Sequence, residues 1–523
     1  MTSVAKGRQA RAIAVLGTGS DVGKSIIAAG LCRLLHRKGV RVAPFKAQNM
    51  SLNSFVTPDG GEIGRAQALQ AEACGLQPHV DMNPILLKPE SDQCSQVIVH
   101  GKVWGKHDGS SYSDRTKELF GSVRASYERL ASAYEVIVIE GAGSAAEMNL
   151  RDRDIVNWPV VELADASVAL VADIDRGGVF AQVIGTVDLL SPEERRRLLG
   201  VVVNKFRGDL GLFADGVAFL EARTGMPVLG VLPFLRDLEL DQEDSIEMER
   251  HQHTPFASGS VNVAVTLLSR MSNFTDFNVL AAEPDVALRY VASPSDMAGA
   301  DVIVLPGSKN TIADLEYLQR IGFFEALAEH VRCGGELVGI CGGYQMLGRE
   351  VSDPHGVEGG GRAAGLGFLD VVTELLSHKR VARVEALPLH LDAMPMPGGT
   401  VYGYEIHMGL TRRGSTSPCF RVLNRAGQEV AGGCSTGTVE EAEDGAFRKD
   451  RFVWGTYIHG VFDQPGFRRQ WLNRLRQRKG LQPLDPAVSE AVTTRLRSSL
   501  DRWADHLQKH VQLNRIFAAA GAE

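Results

Sequence analysis

Short apolar runs alternate with stretches of helical period along most of the chain. Residues 12–16, 40–45, 136–140, 167–173, 199–204 and 228–232 are nearly unbroken apolar segments. Such runs suit strands buried on both faces, as in a parallel sheet covered by helices. Residues 24–38 carry apolar positions at helical spacing instead. Strand and helix in alternation predict a doubly wound α/β domain with right-handed crossovers. The pattern breaks over 237–260, which is polar, charged and poor in strand formers. A second α/β series then begins, with strands expected at 261–267, 287–291, 301–305, 336–340 and 452–457. Residues 356–367 are rich in glycine and read as a loop. From about 466 the chain turns helical and basic, and 485–517 read as closing helices. The expected organisation is a first domain over 1–240, a linker over 241–260, a second domain over 261–475 and a helical tail over 476–523.

Composition narrows the function classes. The 523 residues are 44% apolar and 23% charged, which fits a folded globular chain and excludes wholesale disorder. Lys and Arg number 56 against 63 Asp and Glu, for a net charge of −7. That balance argues against sequence-independent nucleic-acid binding. The basic stretch 468–479 reads as a solvated face or a domain contact. No apolar run approaches the ~20 residues that cross a bilayer. The polar, basic start runs directly into a short strand and gives no signal-peptide core, so a cytoplasmic protein is expected. Seven cysteines, an odd count with no C-x-x-C pair, fit reduced thiols.

Two segments carry chemistry. The first strand runs into Gly17-Thr18-Gly19-Ser20-Asp21-Val22-Gly23-Lys24-Ser25. Strand, glycine loop and helix form a P-loop, whose backbone amides and helix N-terminus hold phosphate oxygens. Thr18 stands where the usual pattern has its first glycine. Lys24 is expected on the β and γ phosphates of ATP and Ser25 on Mg²⁺. Glu140, at a strand end facing the ligand crevice, is the expected acidic partner of the metal, with Glu62 as a weaker second ligand. Asn204 follows another strand and is a candidate for reading adenine. Lys46, Gln48, Asn49 and Asn53 lie on the loop after the second strand, which also faces the crevice. They read either as substrate contacts or as an ordinary polar loop.

The second segment is Cys341-Gly342-Gly343, a tight turn from a strand into a helix. A cysteine on such an elbow is held at a helix N-terminus that favours its thiolate. The Gly342 amide supplies one candidate oxyanion donor, and Gly307, after the strand 301–305, a second. His459 follows the strand 452–457 and so converges on Cys341 as its base. The acid that usually stands two residues after such a histidine is replaced by Val461. A dyad, or orientation by Asp463 or Glu405, remains open at this point. His407, in a strand-like stretch, reads equally as a supporting group or a plain strand histidine.

Taken together, GTGSDVGKS, FKAQNMSLNS, IEGAGS, ADIDRGGVFA, NKFRGD, LPGSKNT, GICGGYQMLG, GYEIHMG and TYIHGVF resemble the cobyric acid synthase family of the cobalamin pathway. The resemblance spans about 12–462. It implies a dethiobiotin-synthetase-like P-loop domain followed by a class I glutamine amidotransferase domain with a helical tail. It places Thr18, Gly19, Asp21, Gly23, Lys24 and Ser25 in the nucleotide loop, Glu140 on Mg²⁺, and Cys341 with His459 in the glutaminase. The implied reaction is ATP- and glutamine-dependent amidation of the b, d, e and g carboxylates of adenosylcobyrinic acid a,c-diamide, through acyl phosphates. The missing acid after His459 is shared by this subgroup. The implied partners are a corrinoid and glutamine, with neither nucleic acid nor membrane. Rival readings are a related amide ligase acting on cobyrinic acid or a cell-wall precursor, and a partition-type P-loop switch ATPase with an inactive glutaminase domain. The KAQNMSLNS stretch argues against the former and the Cys341–His459 pair against the latter.

Overall fold

A computed structural model describes residues 10–235, 238, 240, 251–389, 399–430, 442–448 and 452–523. Half of the expected linker, 241–250, lies outside the described residues. The first sheet has six strands, in the order Val228–Pro233, Leu198–Phe206, Ser167–Asp173, Arg11–Gly17, Val136–Glu140 and Val42–Phe45. Every neighbouring pair is parallel. The chain leaves the central strand Arg11–Gly17, goes two places to one side, returns, and then continues on the other side. Its carboxyl end therefore sits where the connections diverge and a crevice opens. Register puts Val15 opposite Glu140 and Gly17 opposite Val171, so the glycine loop and Glu140 emerge at the same sheet edge.

The second domain repeats this logic. Val286–Val291, Val261–Thr266, Val302–Leu305, Glu336–Ile340 and Val453–Thr456 form parallel neighbours, closed by the antiparallel Ala446–Arg448. The elements expected from apolar runs match these to within a residue or two. Two further sheet regions, one mixed and one antiparallel, were not anticipated. One is the excursion between strands Val42–Phe45 and Val136–Glu140, where Gln48–Met50, Ile85–Pro89, Cys94–Val99 and Lys102–Asp108 make a four-stranded sheet. Its outer strand KVWGKHD is largely exposed, so no continuous apolar run marks it. The other is the long hairpin Val371–Pro388 with Val401–Arg413. This hairpin reaches the first domain. Arg383 Nε donates to the Val56 carbonyl at 2.9 Å, and Lys379 pairs with Glu62 at 2.5 Å.

The closing helices tie both domains together. Helix Pro465–Arg478 runs through the boundary expected at 475/476 and packs under the second sheet. Arg468 and Arg469, from the basic stretch, are buried against Glu283 and Asp285. Arg474 and Arg478 pair with the fully buried Glu336, and Lys479 with Asp301. Most of this stretch's positive charge is thus spent on ion pairs within the domain. Helix Ala487–His510 then crosses to helix Lys24–Arg37, which follows the glycine loop. Trp503 Nε1 donates to the Ile26 carbonyl, and Arg33 pairs with Asp501 at 2.7 Å. Leu500, Trp503, Leu507 and Ile516 share one apolar cluster with Ile13, Ile27 and Leu31. The tail is built into the first domain's core rather than appended after the second.

Candidate active sites

The glycine loop folds as its spacing predicts. Gly23 has φ +98°, a conformation in which a side chain is strained, and a Cβ there would lie 2.2 Å from Asn204 Nδ2. Gly17 is equally confined, because a Cβ would lie 2.7 Å from Val22 Cγ2. Asp21 also takes positive φ, at +59°. Helix Lys24–Arg37 starts directly after this turn, so its first amides face the loop. Lys24 Nζ donates to the carbonyls of Gly19 at 2.7 Å and Gly143 at 2.9 Å. Thr18, in the altered position, bonds through its amide to the Val171 carbonyl at 2.9 Å and through Oγ1 to Gln182. The departure from the usual glycine is therefore accommodated without distorting the turn.

Glu140 is the centre of this site. It is buried, and it accepts from Ser25 Oγ and Lys46 Nζ, both at 2.7 Å, and from Gln70 Nε2 at 2.6 Å and Gln67 Nε2 at 3.2 Å. Burial opposes its charge, but the Lys46 ammonium and these donors outweigh it and hold the carboxyl below its ordinary range. One carboxylate beside the loop serine fits Mg²⁺, which takes few protein oxygens and completes its shell with phosphate and water. No cluster of three or more His, Cys, Asp or Glu suited to a metal occurs among the described residues. A cavity of about 610 Å³ opens here, lined by Lys24, Ser25, Lys46, Asn49, Asn53 and Glu140 among others.

Three candidates sit differently from expectation. Glu62 does not line this cavity. It is buried and salt-bridged to Lys88 at 2.7 Å and Lys379 at 2.5 Å, with Ser54 donating at 2.8 Å. Burial opposes its charge, and the two lysines reverse that and drive the carboxyl far below its ordinary range. As a metal ligand it would first have to give up both. Asn204 is buried, lies outside this cavity's lining and donates through Nδ2 to the Val22 carbonyl at 2.9 Å, which braces the loop. Gln48 accepts from the Tyr112 hydroxyl and also lies outside the cavity lining. Of the same loop, Asn49 donates to Gln67 at 3.1 Å, and Asn53 accepts from the Phe274 amide at 3.0 Å.

The cysteine elbow is as compressed as its sequence suggests. Cys341 has φ +52° and ψ −106° between strand Glu336–Ile340 and helix Gly342–Met346. Such a backbone is costly for a non-glycine residue and is characteristic of functional turns. A Cβ on Gly343 would lie 2.0 Å from the Leu305 carbonyl, and one on Gly342 would lie 2.7 Å from the Ser308 amide nitrogen. The loop after strand Val302–Leu305 is therefore pressed against the elbow. Gly307 belongs to it, and a Cβ there would lie 3.3 Å from His459 Cε1. Both glycines proposed as oxyanion donors thus border the Cys341–His459 pair.

His459 is oriented by a residue that sequence reasoning missed. Its Nδ1 lies 2.7 Å from Asp276 Oδ2, and Asp276 Oδ1 accepts from the Gly460 amide at 3.2 Å. Burial alone would depress the imidazole. The Asp276 carboxylate outweighs it and pushes His459 up to about 10, with Cys341 adding to the rise. Nε2 of His459 is buried with no hydrogen-bond partner among the described residues. Glu405, one of the acids considered for this role, is instead clasped by Arg425 at 3.0 Å. His407 stacks on Tyr457 with centroids 3.7 Å apart, and its Nδ1 pairs with the Gly409 carbonyl at 2.8 Å. Burial pushes it down to about 4, so it is a neutral wall of the small pocket it shares with Cys341.

Two family profiles match the chain. A CobQ/CobB/MinD/ParA nucleotide binding domain covers residues 13–246, and a CobB/CobQ-like glutamine amidotransferase domain covers 262–467. Curated relatives align along nearly the whole length. A protein named cobyric acid synthase in Syntrophobacter fumaroxidans is 47% identical over 514 residues, 97% of this chain and 98% of its own. One of that name in Klebsiella pneumoniae is 49% identical over 515 residues, 97% of each chain. One in Salmonella typhimurium is 45% identical over 513 residues, 97% of this chain and 98% of its own. With a glycine loop beside Glu140, a Cys341 elbow beside His459 and this end-to-end similarity, the chain belongs to the cobyric acid synthase family of glutamine-dependent amidating ligases.

Proposed function

We propose that the protein converts cobyrinic acid a,c-diamide to cobyric acid by amidating its b, d, e and g carboxylates, with glutamine as nitrogen donor and ATP as activator. The observation that carries this reading is the joining of a Cys341–His459–Asp276 triad and a Lys24–Ser25–Glu140 loop site in one chain. At the first site, Cys341 Sγ attacks the glutamine side-chain carbonyl. His459 takes the thiol proton and returns it to the departing nitrogen, which leaves as ammonia. Asp276 holds the ring so that the other nitrogen faces the sulfur. The amides of Gly342 and Gly307 stabilise the oxyanion. Water then cleaves the thioester and releases glutamate.

At the second site, amides of Gly19, Asp21 and Gly23 hold the phosphates of ATP, Thr18 anchors the start of the loop through its bond to Val171, and Lys24 turns from its backbone partners to the γ-phosphate. Ser25 and Glu140 would hold Mg²⁺, which neutralises charge on the transferring phosphoryl group. A corrinoid carboxylate oxygen takes the γ-phosphoryl group, giving an acyl phosphate and ADP. Ammonia attacks that carbon, and the amide forms as phosphate leaves. Lys46 and Asn49 on the cavity wall suit a rim of carboxylates and amides. No described helix is long and apolar enough to cross a membrane.

The test is mass spectrometry of cobyrinic acid a,c-diamide incubated with the protein, Mg-ATP and either glutamine or ammonium. Cys341→Ala runs alongside. Stepwise gain of amides is expected with both donors in the natural protein and only with ammonium in the variant. A folded, ATP-binding protein that leaves the corrinoid unchanged with both donors refutes the reading.

A further inference from the structure

The segment that holds Asp276 faces both sites at once. Met271 and Phe274 line the cavity beside the glycine loop. Ser272 and Asn273 line the small pocket that contains Cys341. Asp276 follows in the single helical turn Phe274–Phe277. This short stretch of the second domain is pinned to the first by two reciprocal bonds. Asn53 Oδ1 accepts from the Phe274 amide at 3.0 Å, and Asn273 Oδ1 accepts from the Ser54 amide at 2.9 Å. Each asparagine is 2% exposed, so neither bond is exchanged for water without cost. Asn273 also takes φ +52°, a left-handed conformation that asparagine tolerates better than most residues. It is the turn that sends the chain from one pocket wall toward Asp276.

We propose that Asn53 and Asn273 form a joint through which the ATP-binding domain positions Asp276, making Asn53 a positioning residue for a glutaminase it does not belong to. The proposal rests on the glutaminase reading of Cys341 and His459 and deepens it. Asn53 fixes the amide of Phe274 only two residues before Asp276. A shift of the 46–53 loop is therefore passed to the carboxylate that orients His459. The same loop carries Lys46 and Asn49 on the wall of the ATP-side cavity, so the state of that cavity and the alignment of the triad share one mechanical element.

The experiment uses the full chain with Asn273→Gly, Asn53→Ala and the double variant. Glycine keeps the left-handed turn while deleting the amide, which separates loss of the joint from backbone strain. Glutamine hydrolysis is followed from pH 6 to 10, with ammonium-driven corrinoid amidation measured in the same preparations. For Asn273→Gly the expected result is at least a tenfold fall in kcat for glutamine, with KM within threefold. The basic limb of its pH profile moves to lower pH, because Asp276 supports protonated His459 less well. Ammonium-driven amidation persists. The double variant should be no worse for glutamine than the worse single, since both substitutions remove one joint. Single variants with natural kcat and pH profile overturn the proposal. Additive losses, or equal loss of ammonium-driven amidation in Asn273→Gly, overturn it too. A natural protein with no glutamine hydrolysis would instead defeat the underlying glutaminase reading.

Discussion

Asp276 Oδ2 lies 2.7 Å from His459 Nδ1 although 183 residues separate the two in the chain. The contact sets the histidine's tautomer and charge together. Asp276→Asn keeps the shape but replaces the carboxylate with an amide that no longer enforces the Nδ1–H form. By analogy with other catalytic triads, glutamine-dependent turnover should fall by ~10²–10⁴-fold. Amidation driven by ammonium should continue. Steady-state assays with the two donors in parallel check this, and equal losses with both would contradict it.

The same pair makes stability depend on pH. Burial depresses the His459 imidazole and Asp276 more than reverses this, to a folded value of about 10, above the unfolded ~6.5. A raised histidine contributes stability that is fully present below the unfolded value and is lost as pH rises through the folded one. The natural protein should therefore lose stability between roughly pH 6.5 and 10, and Asp276→Asn should lose less over that window. Denaturant unfolding of both proteins across the range measures the difference. Identical slopes would show that the pair does not titrate as the geometry implies.

Glu140 gathers Ser25, Lys46, Gln67 and Gln70 at the end of strand Val136–Glu140. Glu140→Gln should cut amidation by ~10²-fold or more from either nitrogen donor, since phosphoryl transfer depends on charge neutralisation at this point. Glutamine hydrolysis at Cys341 should survive. A variant that amidates normally with ammonium would remove Glu140 from the ATP site.

Arg469 is buried between Glu283 and Asp285, with 1% of its side chain exposed. Arg469→Ala leaves two buried carboxylates short of a partner, and a broken buried pair costs about 3–5 kcal/mol. Chemical denaturation should show a lower midpoint, and nucleic-acid binding should be absent before and after the change. A variant as stable as the natural protein would show that Arg468 and Arg476 suffice to hold the acids.

Trp503 anchors the last long helix to helix Lys24–Arg37, where Gly30 leaves room for it. A Cβ on Gly30 would lie 2.8 Å from Trp503 Nε1. Trp503→Ala should destabilise by about 3–5 kcal/mol through the cavity it leaves. ATP binding should weaken along with stability, because the helix that follows the glycine loop loses its support. Thermal unfolding with and without Mg-ATP measures both effects. An unchanged melting temperature would mean that the tail packs without bearing on that helix.

Much of this protein is written locally. Both parallel sheets follow from unbroken apolar runs, because a strand covered on both faces must be apolar along its length. The glycine loop and the Cys341 elbow follow from short-range sterics, since each needs residues that tolerate positive φ at fixed neighbours. What depends on long-range approach was not legible. Asp276 lies far from His459 in sequence, inside MSNFTDF, and no spacing rule joins them. The only local hint was an acid shortly after the first strand of its domain. Glu62 and Asn204 had residue types suited to ligands, but Lys88 and Lys379 claim one and the Val22 carbonyl the other. The basic stretch 468–479 left a solvated face and a domain contact both open until Glu283, Asp285 and Glu336 were brought beneath it. Sequence determines which groups can do chemistry, because that is set by residue type and local backbone. Tertiary structure decides which of them are already spent, because a buried charge or amide must find a partner, and that partner can come from anywhere in the chain.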